Sequence, residues 1–123
     1  MSARSLVLFA HGARAASWAV PFERLREASA ARLPDTVVSL AFLELMEPRL
    51  PAEVARLAGA GVNAITIVPV FLGQGGHLLR DLPLLVEQLR QDYPDMSITV
   101  AGAVGEDPDV LEAMTRYCVN ALG

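Results

Sequence analysis

Four runs of apolar residues, at 5–10, 36–43, 63–70 and 97–102, alternate with four segments of helical spacing. This alternation constrains the fold more than any other feature. The runs are short and apolar on both faces, so they read as strands buried inside a parallel sheet. Helices are predicted over 18–33, 48–58, from 81 onward, and over 107–120. In the first, Trp18, Phe22, Leu25 and Ala28 share a face, Ser17 is the N-cap and Pro21 sits in the first turn. Pro48 opens the second. Leu82, Leu85, Val86, Leu89 and Tyr93 form the stripe of the third, with Pro83 in its first turn. Asp107-Pro108 starts the last, whose Leu111, Met114, Cys118 and Leu122 are predicted to face inward. Pro34-Asp35, Gly59-Ala60-Gly61 and Pro94-Asp95 separate the elements.

Strict β-α alternation with right-handed crossovers gives one α/β domain over residues 1–123. The expected architecture is flavodoxin-like: a four-stranded parallel sheet of order 2-1-3-4 with helices on both faces. Its switch point lies between strands one and three, and open sheets of this kind bind ligands there, at the carboxyl ends of the strands.

Both histidines of the chain close apolar runs. His11 follows Leu6-Val7-Leu8-Phe9-Ala10, and His77 ends the glycine-rich loop Gly73-Gln74-Gly75-Gly76 behind the third strand. The predicted topology makes their loops face each other, with Glu44, behind the second strand, on the same edge. Neutral imidazoles suit iron, cobalt, nickel or zinc, and they also move protons near neutral pH. A carboxylate from Glu44, or from Glu47 as the fallback, can complete such a site. Phe71 is either a core residue or a pocket wall, and Trp18 and Phe22 read as core or interface. Arg14 and Arg80 flank the cleft and can meet anions, as can backbone N–H groups at Gly75 and Gly76.

Other chemistries fit poorly. The glycine loop lacks dinucleotide spacing and the lysine and hydroxyl of a P-loop, and no Gly-x-Ser-x-Gly elbow exists. Net charge is −4 and the ten basic residues, all arginine, are scattered, which argues against nucleic acid. No apolar run approaches the roughly 20 residues of a membrane span, and no signal-peptide pattern is present, so a cytoplasmic protein is expected. The lone Cys118 excludes an internal disulfide and reads as a buried structural thiol. An apolar fraction of 53% against 20% charged residues suggests doubly buried strands, a subunit interface, or both.

Three clusters carry a family resemblance: His11-Gly12-x-Arg14, then Phe42-Leu43-Glu44 followed by Pro48, then Pro69-x-Phe71-Leu72-x-x-Gly75-x-His77 with Asp81-x-Pro83 beyond. In these the chain resembles the class II tetrapyrrole chelatases, the small CbiX/SirB type of sirohydrochlorin chelatase, over nearly its whole length. One departure is Ala13, where the family usually has serine. The resemblance implies insertion of cobalt or iron, with nickel as a further option, into sirohydrochlorin for cobalamin or sirohaem synthesis. His11, His77 and Glu44 would serve as catalytic and metal-binding residues. Arg14, Phe71, Gly75, Gly76 and Arg80 would bind the substrate. It further implies no tightly bound cofactor, since the divalent metal is a substrate, and a homodimer of chains half the size of two-domain chelatases. Two other readings remain on the same fold: a metal or tetrapyrrole carrier without turnover, and a binding module for a phosphorylated ligand.

Overall fold

A computed structural model describes residues 3–73 and 76–123, those at 76–79 by their backbone alone. Its strands are β1 (Arg4–Ala10), β2 (Val37–Phe42), β3 (Ala64–Pro69) and β4 (Ser97–Val100). Its helices are α1 (Val20–Arg32), α2 (Leu50–Gly59), α3 (Gly76–Asp92) and α4 (Pro108–Leu122). The sheet is parallel throughout, in the order β2-β1-β3-β4. This is the topology the sequence predicts.

Residues alternate between the two faces. Val7, Phe9, Ala41, Ile65, Ile67 and Ile98 pack against Leu50, Val54 and Leu57 of α2 and Leu82, Val86 and Leu89 of α3. Each such side chain, fully buried, contributes about 1.5–3 kcal/mol of transfer free energy. On the other face Ala10 and Phe42 meet Ala19, Trp18, Phe22 and Met46 beside α1. Trp18 anchors this smaller cluster, with ring centroids 4.5 Å from Phe22 and 6.5 Å from Phe42.

The helix starts differ from the pattern-based expectation. Residues 16–19 form a 3-10 turn before α1, so Ser17 is not its cap, and Pro21 occupies the first turn as expected. Leu50, not Pro48, opens α2, with Pro51 at its start. The third helix begins at Gly76, five residues before the expected Asp81, and continues through Pro83. Proline removes one hydrogen bond there, which packing of Leu82, Val86 and Leu89 compensates. The Asp107 cap is formed as predicted, accepting from the backbone N–H groups of Asp109 and Val110.

The largest departure is α4. Leu111, Cys118 and Leu122, expected to face inward, are exposed, Leu122 by 91%, and Met114 is half-buried. Tyr117 and Val119 are exposed as well. Helical periodicity reports that one face is apolar but not what covers it, and among the described residues α4 reaches little beyond the short turn Val104–Glu106. Thr66 and Thr99, paired across β3 and β4, are exposed on the sheet. Among the described residues no helix is long and apolar enough to cross a membrane.

One buried charge stabilises α2. Glu53 is 3% exposed, and Arg56 donates to it from Nε (2.9 Å) and Nη2 (2.5 Å). Burial pushes the Glu53 carboxyl up. Arg56, helped by the Ser39 hydroxyl, outweighs burial and holds it below the ordinary carboxylate range. The Ser39 contribution is the weaker of the two, since that hydroxyl has no fully formed hydrogen bond. A depressed folded-state pKa means that this stabilisation is present at neutral pH and lost as pH falls through that pKa. Glu53→Gln should therefore cost about 1–3 kcal/mol at neutral pH, limited because the half-exposed Arg56 can be resolvated. Urea midpoints of the two proteins, measured from neutral to acid pH, should converge on the acid side.

Candidate metal and substrate site at the carboxyl edge of the sheet

The site begins as an extension of the central ladder. Beyond the end of β2 the Leu43 N–H donates to the Ala10 carbonyl (2.9 Å), and the Glu44 N–H donates to the His11 carbonyl (3.1 Å). Two segments leaving neighbouring parallel strands thus stay in register past the sheet. The next turn is closed by the Phe42 N–H, which donates to the Pro48 carbonyl (2.9 Å).

This register sets His11 Nε2 3.0 Å from Glu44 Oε1. Both side chains are half exposed, at 50% each, so the pair opens to solvent at the strand ends. With Nε2–H donating to the carboxylate, the Nδ1 lone pair is the ring's remaining acceptor, a form suited to a metal or a proton. The second Glu44 oxygen has the same capacity. Among the described residues no third His, Cys, Asp or Glu joins them in a group able to hold a metal.

Gly12 makes the close approach possible. Its φ is +98°, and a Cβ there would lie 1.8 Å from the Glu44 carbonyl oxygen. No side chain fits. The Glu44 carbonyl also accepts from the Met46 N–H (2.8 Å), closing a three-residue γ-turn around Leu45, whose φ is +67°. This left-handed form of the γ-turn is rare and strained.

The remaining sequence candidates fall as follows. Arg14 is exposed in the loop behind β1 and makes no ion pair among the described residues. Phe71 is half-buried and stands edge-on to Phe9, with centroids 6.0 Å apart, so it lies on the core side of this edge. Arg80 is exposed within α3. Gly75 lies outside the described residues, as does the side chain of His77, while the backbone of Gly76 opens α3. The backbone of His77 belongs to the first turn of α3, rather than to a loop. Glu47 lines a separate groove with Phe42 and Arg56 beside α2, so Glu44 is the acid that meets His11. The strained turn at Leu45 is the feature that sequence reasoning missed. No local sequence signal marks it, since Leu45 and Met46 are both apolar and only one of them stands outside.

Comparison with known proteins identifies the family to which this fold belongs. The CbiX family model matches residues 5–120. The chain belongs to the CbiX family. Among its relatives, the sirohydrochlorin cobaltochelatase of Methanopyrus kandleri is 29% identical over 97% of each chain. A putative cobalamin biosynthesis CbiX protein of Marinobacter aquaeolei, solved as a crystal structure, shares the fold with a TM-score of 0.85. It is 33% identical, over 97% of both chains. The cobalt-bound sirohydrochlorin chelatase SirB of Bacillus subtilis subspecies spizizenii superposes with a TM-score of 0.81 at 23% identity, a likeness of fold. The match takes in 96% of this CbiX-family chain and half of that one.

Proposed function

We propose that this chain is a sirohydrochlorin metal chelatase, inserting cobalt(II) or iron(II) into the metal-free macrocycle for cobalamin or sirohaem synthesis in the cytoplasm. The observation that carries the reading is the His11–Glu44 pair, 3.0 Å apart at the carboxyl edge of the central strands in a CbiX-family chain. The name of the Methanopyrus relative supports the same chemistry.

Insertion exchanges one divalent ion for the two inner pyrrole N–H protons, so it needs a base and an ion-presenting ligand close together. His11 and Glu44 supply one imidazole and one carboxylate at contact distance. His77, at the start of α3, is the proposed third ligand. The exposed Arg14 and Arg80, with the backbone N–H groups of Gly75 and Gly76, are assigned to the substrate's carboxylates, and Phe71 to the wall beneath. The metal is substrate rather than cofactor, and neither ATP nor a redox group is required. An N/O donor set of this kind follows Irving–Williams order, so metal choice follows supply as much as affinity.

The same reading includes a homodimer, supported by the exposed apolar face of α4. A second copy is the partner that would bury Leu111, Tyr117 and Leu122 together. Leu111→Glu should yield a folded monomer by sedimentation, with an unchanged circular dichroism spectrum. A dimer that survives this change would place the interface elsewhere.

The function itself is tested anaerobically by visible absorbance of sirohydrochlorin with cobalt(II) or iron(II). Insertion above the spontaneous rate is the expected result. Binding of the pigment with no acceleration would instead make the protein a carrier. Absence of binding, with stabilisation by phosphate, would point to the phosphorylated-ligand module.

A further inference from the structure

Two large apolar side chains stand in solvent at the carboxyl edge of the sheet, Leu45 at 51% and Leu72 at 74% exposure. Leu45 follows β2 and Leu72 follows β3, and β1, which ends at Ala10 just before His11, lies between those strands. The two leucines thus leave the strand ends on either side of the one that carries His11, Leu45 directly after Glu44. With adjacent strands about 4.8 Å apart, the loops that carry them start roughly 10 Å from each other.

Neither residue is loosely placed. Leu45 occupies the centre of the γ-turn at φ +67°, a conformation that a branched side chain adopts at a cost. The turn is fixed on one side by the Glu44 carbonyl lying on Gly12, and on the other by Met46, which packs against the Ala10–Phe42 cluster. Met46 is thus held in the protein while Leu45 is left outside. Leu72 is fixed by its backbone: Gly105 lies so close that a Cβ there would meet the Leu72 carbonyl oxygen at 2.1 Å, and the Gly105 N–H donates to the Phe71 carbonyl (2.8 Å). A rigid backbone presenting exposed leucines beside a polar pair is suited to a ligand that is apolar in its plane and polar at its centre and rim.

A metal-free tetrapyrrole has that shape. Its flat faces carry no charge, its inner nitrogens take the metal, and its carboxylates lie at the periphery. We propose that Leu45 and Leu72 are substrate-contact residues that grip the macrocycle and hold its nitrogens over His11 and Glu44, an inference that rests on the chelatase reading above. Their contact is with the unreacting ring surface, so it is made equally before and during insertion and acts on affinity rather than on the chemical step.

The test compares wild type with Leu45→Ala, Leu72→Ala, Leu45→Met and Leu45→Gly in steady-state cobalt insertion into sirohydrochlorin. Each alanine variant should raise KM about five- to tenfold with kcat within about twofold, and Leu45→Met should keep wild-type KM. Leu45→Gly is the discriminating variant. Glycine relieves the left-handed turn, so thermal stability should hold or rise while KM rises. A purely structural role would instead move KM only where stability falls. Unchanged KM in both alanine variants, with wild type active, overturns the inference and leaves the chelatase reading intact. Alanine variants that dissociate into monomers also overturn it, because the leucines would then be subunit contacts. Wild type that shows no insertion fails the chelatase reading itself, and this inference with it.

Discussion

His11→Ala is expected to slow metal insertion by about 10²–10⁴-fold while leaving the fold intact. The magnitude follows from the removal of the proposed proton acceptor and ligand. The intact fold follows from exposure. Both partners of the His11–Glu44 contact are half open to water, and exposed pairs contribute only about 0–1 kcal/mol. Activity and stability should therefore separate in this variant. Glu44→Gln keeps the shape and a hydrogen-bond acceptor for His11 but removes the charge, so its loss should be smaller, about 10–100-fold, and greater at limiting metal. Single-turnover absorbance traces with cobalt(II) at several concentrations would measure both. A wild-type rate in His11→Ala would move the chemistry away from this edge of the sheet.

Gly12→Ala should be the most damaging small substitution in the site. The added methyl would sit 1.8 Å from a carbonyl oxygen and 3.0 Å from its carbon, both backbone atoms of Glu44, on a residue with φ +98°. A flexible side chain could swing aside, but here the ladder bonds Leu43–Ala10 and Glu44–His11 must break. The left-handed backbone alone costs alanine about 1–2 kcal/mol, and the clash brings the total to about 3 kcal/mol or more. For a chain of this length that lowers Tm by about 10 °C or more. Gly59→Ala is the natural control. It has open space around a Cβ at the end of α2 and should be neutral or slightly stabilising. Thermal melts of the two variants would settle the contrast, and similar Tm values would show that the Glu44 loop yields more easily than its hydrogen bonds suggest.

The sheet was legible in the sequence because each strand is a short apolar run bounded by glycine or proline turns, and because alternation with helices leaves few topologies. The helix starts were less so. Proline marks a first turn only by preference, and at Pro83 buried leucines and a valine carry the helix through it. Periodicity showed that α4 has an apolar face without showing that the rest of the described chain leaves it bare. In the site, His11 and Glu44 were readable as residues at adjacent strand ends, because the topology forces those ends together. Leu45 was not. A strained γ-turn arises from two hydrogen bonds and a glycine more than thirty residues away, and no local pattern encodes that meeting.

The register that joins His11 to Glu44 is continuous with the hydrogen-bonded ladder between β1 and β2. Two donors on independent mobile loops would have to find each other anew at every encounter with a metal ion. Here the two backbones are brought together when the central strands zip up, and separating them means breaking the β1–β2 ladder. The backbone frame of the pair thus has no opening of its own and inherits the cooperativity of the domain. A lesion that weakens the β1–β2 seam should therefore lower stability and, on the proposed reading of the site, metal affinity together.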